Sequence, residues 1–247
     1  MRGRLGLAPD QFRITRGAMI LLFLEGGVSL VWLLCPPDTR ALITEWLLPS
    51  HDSVWHQGRV WTLVTGAFLE PSFIALLLHA LIMFSFVPTL ERFWGTRRFL
   101  RFVAVTQIVG ATAGTALGFV AGSGEQYVAG LDSFIWASIV AFGIVYAKQQ
   151  IQFWGTLPLT GRQMMFGFIG FLVLSTALRQ DWSNGAAWGA AMVTAAIMCS
   201  KRWSPALAWK RWRIARARAR LTVMQGGAPS SVRPKNKPKR DEQRFLN

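Results

Sequence analysis

Leu90-Glu91-Arg92-Phe93-Trp94-Gly95-Thr96-Arg97-Arg98-Phe99-Leu100 sets four charges and a glycine turn between two long apolar runs. Upstream lies Phe73 to Leu90 and downstream Phe99 to Val120, each close to the ~20 residues a helix needs to cross a hydrocarbon core about 30 Å thick. The stretch reads as a tight cytosolic hairpin between two membrane helices. Composition agrees: 52% of the 247 residues are hydrophobic and only 16% charged, against about a quarter charged in soluble domains. A soluble single-core fold is thereby excluded.

Six apolar blocks extend outward from the hairpin: Gly17 to Cys35, Phe73 to Leu90, Phe99 to Val120, Val128 to Ala147, Met164 to Leu178 and Gly185 to Cys199. They predict an all-α, six-helix membrane bundle over 17–199, with a basic cytoplasmic N-terminus at 1–16 and a basic cytoplasmic tail at 200–247. Met1 to Arg16 is too long and polar for a cleavable signal, so the first block should remain as an anchor. Basic residues near helix ends stay on the cytoplasmic side. Arg2, Arg4, Arg13 and Arg16 precede the first block, Arg92, Arg97, Arg98 and Arg101 follow the second, and Lys148 and Arg162 bracket the fourth-to-fifth loop. An even number of spans with both termini cytoplasmic satisfies every loop. Cys35 ends the first block on the outer side and Cys199 ends the sixth on the inner side, about one bilayer apart, so no disulfide is expected.

Gly110, Gly114, Gly118 and Gly122 recur every four residues in the third block, and Gly185 and Gly189 repeat the spacing in the sixth. Such a stripe lets another backbone approach closely, which matters in lipid, where packing replaces the hydrophobic drive. Between the first two blocks, Pro36 to Pro71 is too polar to cross and too aromatic to be free in water. It should lie in the interface, with Ala41 to Leu48 as a short amphipathic helix and Trp55, His56, Arg59 and Trp61 at headgroup level.

Gly58-Arg59-Val60-Trp61-Thr62-Leu63-Val64-Thr65-Gly66-Ala67-Phe68-Leu69-Glu70, an apolar helix, and the Leu90 to Leu100 hairpin with Glu91, Arg92 and Gly95 together resemble the first loop, second helix and following turn of the rhomboid superfamily. The similarity runs from about Gly17 to Cys199 and lies nearest the non-proteolytic rhomboid-like proteins. Active rhomboids carry a serine nucleophile in Gly-x-Ser-Gly, a histidine base before a Gly-x-x-x-Gly, and an oxyanion asparagine with a companion histidine. By this resemblance Asp132 of Gly130-Leu131-Asp132-Ser133 stands at the nucleophile, Trp182 at the base, His79 at the asparagine and Ala75 at its companion. The implication is a pseudoprotease lacking the catalytic dyad, with no catalytic residues.

The residues say the same without a family. The only histidines are His51, His56 and His79, and a serine hydroxyl is a weak nucleophile unless a base takes its proton. A rewired intramembrane serine endopeptidase would need His79 with Ser133 or Ser138. No Cys/His spacing, His-Glu-x-x-His or phosphate-cradling glycine loop occurs, so no metal and no cofactor are expected. Ionisable residues at membrane depth normally face the protein interior and mark function or a satisfied structural contact, which singles out His79, Asp132 and Glu25. If the rhomboid arrangement holds, His79 and Asp132 face one cavity.

From Lys201 onward fourteen basic residues meet two acidic ones, giving +12 of the chain's net +15. Trp203 to Met224, with Trp209, Arg211, Trp212 and Arg213, can lie as a helix on an anionic leaflet, and Gln225 to Asn247 should be disordered. Lipid is the nearer polyanion, so nucleic acid is not the expected partner. Three function classes remain: a non-catalytic rhomboid-like protein binding transmembrane segments or membrane-protein partners, an active protease with a rewired site, and a small-solute transporter or channel.

Overall fold

The computed structural model describes residues 14–121, 126–153, 157–200, 209 and 212–216. The chain divides into two units, Met1–Ser204 and Pro205–Asn247. Arg2, Arg4, Arg13, Gly122, Arg211, most of the expected tail helix and the Gln225 to Asn247 segment lie outside the described residues.

The first unit runs α1 (Arg16–Leu34), α2 (Pro37–Leu47), one π-helical turn (Asp52–His56), α3 (Thr62–Thr65), a 3-10 turn (Gly66–Phe68), α4 (Phe73–Ser85), α5 (Val87–Trp94), α6 (Thr96–Ala121), α7 (Asp132–Val145), an antiparallel hairpin of β1 (Gln150–Phe153) and β2 (Leu157–Thr160), α8 (Gly161–Arg179) and α9 (Trp182–Cys199). Every expected block holds a helix. Among the described residues three helices are long and apolar enough to cross a membrane, α1, α6 and α8. A fourth appears if Thr62–Phe68 and Phe73–Ser85, bent by 83° at the break between them, count as one span. The second block is broken at Phe86, because Pro88 has no N–H to continue the ladder and its ring meets the carbonyl four residues back. The β-hairpin was not foreseen; it ends in Thr160, which caps α8 in a capping box with Gln163.

Glu91 ties the hairpin to the start of α1. Its carboxylate accepts the backbone N–H groups of Gly17 and Ala18, both at 2.9 Å, and the hydroxyls of Thr15 and Thr96. An anion on the unsatisfied amides of a helix N-terminus is stabilising. Gly17 makes room for it, since a Cβ there would sit 2.8 Å from both carboxylate oxygens. At the other end of α1, Arg40 donates to the carbonyls of Leu33 and Cys35. The turn after α5 needs Gly95, whose φ is +78°.

Helix α7 is central, with ten buried residues among its 14, and it packs against α9 and α8 most extensively. Phe134 meets Phe99 and Phe102 edge-on, while Trp136 stacks on Trp188 and Phe171. Helices α6 and α9 form the broadest contact. There a Cβ on Gly110 would lie 2.9 Å from the Ala187 carbonyl, and one on Gly114 2.9 Å from the Ser183 carbonyl. Gly118 is also buried. Gly185 faces α8, where a Cβ would lie 2.3 Å from Thr176 Cγ2, whereas a Cβ on Gly189 would meet nothing within 4 Å among the described residues. The two glycines of α9 therefore do different jobs.

The first loop is stitched, not free. α2 starts at Pro37, four residues before the predicted amphipathic segment, because proline suits the first helical turn. Trp46 stacks on Trp61, Arg59 lies 4.5 Å over the Trp46 ring and pairs with Glu45, and Thr65 bonds the Leu47 carbonyl. Cys35 and Cys199 are free. In the second unit, Trp209 packs on Trp212 and Arg216 lies over the Trp212 ring.

Two outcomes follow. Burial pushes the Glu91 carboxyl up, but the hydrogen bonds from Thr15, Thr96, Gly17 and Ala18 outweigh it and hold the group below the usual carboxylate range. A depressed folded pKa adds stability that is present above the unfolded value and lost as pH falls through the folded one. Glu91→Gln should cost about 1.5–3 kcal/mol at pH 7 and flatten the acid limb of a thermal-melt series below about pH 4.5; an acid limb identical to wild type would refute the cap. Gly114→Ala should lower the melting temperature in detergent, whereas Gly189→Ala should leave it unchanged or raise it, since alanine is about 1 kcal/mol the better helix former. Equal responses would show that the α6–α9 approach is not tight.

Candidate functional site

Helix α1 buries one stripe, Gly17, Ala18, Leu21, Glu25 and Ser29, at the four-residue spacing that stacks side chains on one face. Glu25 lies near the middle of this apolar helix and is 0% exposed. Its Oε1 is 2.7 Å from His79 Nδ1 and accepts the Leu131 N–H at 3.1 Å. His79 belongs to the buried face of α4 with Leu76 and Met83. Its other nitrogen, Nε2, is 2.9 Å from Asp132 Oδ1. Asp132 opens α7, where a carboxylate suits the positive end of the helix, and it keeps 29% of its side chain exposed.

A fourth ionisable group joins them. Glu70 is buried between the 3-10 turn and α4. Its N–H donates to Ser29 Oγ and its Oε1 accepts the Ser72 N–H, both at 2.9 Å. The Glu25, Glu70 and His79 ligand atoms all lie within 4.8 Å of one another.

Gly130 holds the group together from below. Its φ of +61° places it in the left-handed region, its N–H donates to the Gly66 and Leu69 carbonyls, and a Cβ would fall 2.3 Å from Glu70 Oε2 and 3.2 Å from Glu25 Oε1. Only glycine meets both the conformation and the space. Gln107 of α6, itself buried, donates to the Gly130 carbonyl and accepts the Phe134 N–H. Four helices and two loops thus converge on one imidazole.

Each hydrogen bond to His79 requires a proton between nitrogen and oxygen. The triad therefore holds two protons, either as an imidazolium between two carboxylates or as a neutral ring with one carboxylic acid, and its net charge is −1 in both. Glu70 adds further negative charge or a further proton. The arrangement suits cation capture or proton storage; it does not free an imidazole to act as a base.

His79, Asp132 and Glu25 are thus brought together, and other candidates are not. Trp182, the first residue of α9, is 53% exposed. Ser133 Oγ is buried without a hydrogen-bond partner among the described residues, and it faces α6, where a Cβ on Gly110 would lie 2.5 Å from it. Ser138 donates to the Ile135 carbonyl in its own helix. His56 bonds Asp52 and packs on Phe119. No hydrogen bond joins a histidine to a serine among the described residues. Glu70, Gln107 and Gly130 were missed as site residues. Glu70 falls in the Pro36 to Pro71 segment expected at the interface, and nothing local tells that this loop folds inward to meet Glu25, 45 positions earlier.

No curated protein matches the chain. Residues 18–200 match a family described as eukaryotic integral membrane protein (DUF1751). That span runs from the first turn of α1 to the end of α9 and includes every residue of the buried cluster, so the chain belongs to this integral membrane family.

Proposed function

We propose that the chain is a non-catalytic, rhomboid-like membrane protein that binds transmembrane segments or membrane-protein partners. The observation that carries this reading is the capture of His79: both ring nitrogens are engaged by carboxylates, so the one histidine near the aligned positions has no lone pair to offer a serine. Hydrolysis needs a base in hydrogen-bond reach of the nucleophile. Among the described residues, Ser133, pressed against α6, has none. What the cluster keeps is a polar edge at Asp132, 29% exposed, and the bundle carries exposed apolar side chains, among them Ile74, Leu77 and Leu78 of α4 and Phe171, Val173 and Leu174 of α8. Polar atoms that are scarce elsewhere in lipid give such an edge its selectivity for a partner helix.

The six-span topology with cytoplasmic termini is part of the proposal, supported by the basic-loop bias. The tail, with Trp209, Trp212 and Arg213 among many basic residues, supplies affinity for anionic lipid at about 1 kcal/mol per basic group.

Purified protein in liposomes should neither cleave a fluorogenic transmembrane substrate nor react with a fluorophosphonate, and Asp132→Ala should alter crosslinking to a bound transmembrane peptide. Turnover that disappears in His79→Ala would overturn the reading in favour of a protease. In a background with Cys35 and Cys199 replaced, an impermeant thiol reagent applied outside should label a cysteine at Ser53 and not one at Ser231. The inverse labelling would reverse the topology.

A further inference from the structure

We propose that Glu25, Glu70 and His79 form a binding site for a divalent first-row transition metal ion, with Asp132 orienting the histidine. The absence of metal spacing in the sequence had argued against any metal, because it could not bring together residues from α1, the loop before α4, and α4. Three ligand atoms, two carboxylate oxygens and one imidazole nitrogen, lie within 4.8 Å of one another and all three residues are buried. Bonds of about 2.1 Å set tetrahedral ligand atoms roughly 3.4 Å apart, so modest side-chain rotation closes the set.

Three further features point to a ligand. Glu25 Oε2 is fully buried and has no hydrogen-bond partner among the described residues, a costly state for a carboxylate oxygen that a bound cation relieves. Gly130 leaves bare the space where a Cβ would strike both carboxylates. His79 Nε2 lies 2.9 Å from Asp132 Oδ1 while Nδ1 faces Glu25, the placement from which a carboxylate fixes the tautomer of a metal-bound imidazole. Charge closes as well: a divalent ion with two ionised glutamates and a neutral imidazole is neutral, leaving only Asp132 at the wetter edge. A mixed oxygen and nitrogen set of this kind suits Zn²⁺, Mn²⁺ or Fe²⁺ better than Mg²⁺ or Ca²⁺. On binding, the ion takes the place of the proton between Nδ1 and the Glu25 carboxylate and meets an oxygen of Glu70; that proton, with any carried by Glu70, leaves to the buffer, and three metal–ligand bonds replace one hydrogen bond.

The test is calorimetric titration of Zn²⁺ into the chelator-stripped full chain in detergent. One ion per chain should bind, with at least one proton released, read from the dependence of heat on buffer ionisation enthalpy. Glu70→Gln should weaken binding at least tenfold, and Asp132→Asn by about 10–100-fold. His56→Gln, which alters the exposed Asp52–His56 pair, should leave binding intact. Circular dichroism identifies which variants fold, and loss of affinity in either folded cluster variant supports the site. No stoichiometric binding by the wild type, binding that survives both cluster variants, or binding abolished by His56→Gln would overturn it.

Discussion

A carboxylate in the middle of an apolar helix is the constraint on which the rest of this molecule depends. Leaving Glu25 charged and unpaired among hydrocarbon would cost several kcal/mol. The chain meets that cost by bringing partners from far along the sequence: the His79 ring from α4, the Leu131 amide from the turn before α7, and the Glu70 and Gly130 loops beside them. Those loops must dip inward to reach the depth of Glu25. The 83° bend between Thr62–Phe68 and Phe73–Ser85 is the backbone expression of that dip.

The opposite pole of α1 is held by the same chemistry used differently. Glu25 acts from inside the helix and Glu91 from outside it, on amides that have no intrahelical partner. Between these two carboxylates, α1 is located along its own axis, while its outward residues, Phe23, Val31 and Leu34 among them, stay exposed. Directional polar contacts fix position where apolar contact with lipid cannot, since hydrocarbon offers no preference between one rotation of a leucine-rich helix and another.

How much of this was legible follows from the range of each signal. Membrane character and helical class were legible because apolar blocks of nearly bilayer length are local features, as was the Gly95 turn. Glu25, His79 and Asp132 could be named because ionisable groups are rare in such blocks. Their partners could not. Glu70 looks like any acid in a polar loop until the loop is seen to enter the protein, and Gln107, although it shares the helix face of Gly114 and Gly118, is an uncharged residue whose partners at Gly130 and Phe134 lie far along the chain. The break at Phe86 was readable from Pro88 and was passed over because the apolar run continues through it. The β-hairpin at 150–160 left only a four-residue signal, the polar–apolar alternation of Gln150-Ile151-Gln152-Phe153, and it was passed over as a loop between apolar blocks.

Length is a poor yardstick for the central helix. At about 1.5 Å per residue, the 14 residues of α7 reach roughly 21 Å, short of a 30 Å core. The requirement that sets that length is satisfaction of backbone groups in lipid, and it applies only to helix ends that lipid can reach. Helix α7 is sheathed by α8, α9 and α6, and its first turn is met by Gln107, His79 and the Glu25 cluster, not by hydrocarbon. A helix solvated by protein can begin at mid-depth. Here its positive end lies against a nest of carboxylates, so the shortness of α7 is what brings a helix N-terminus and its Asp132 to the buried cluster.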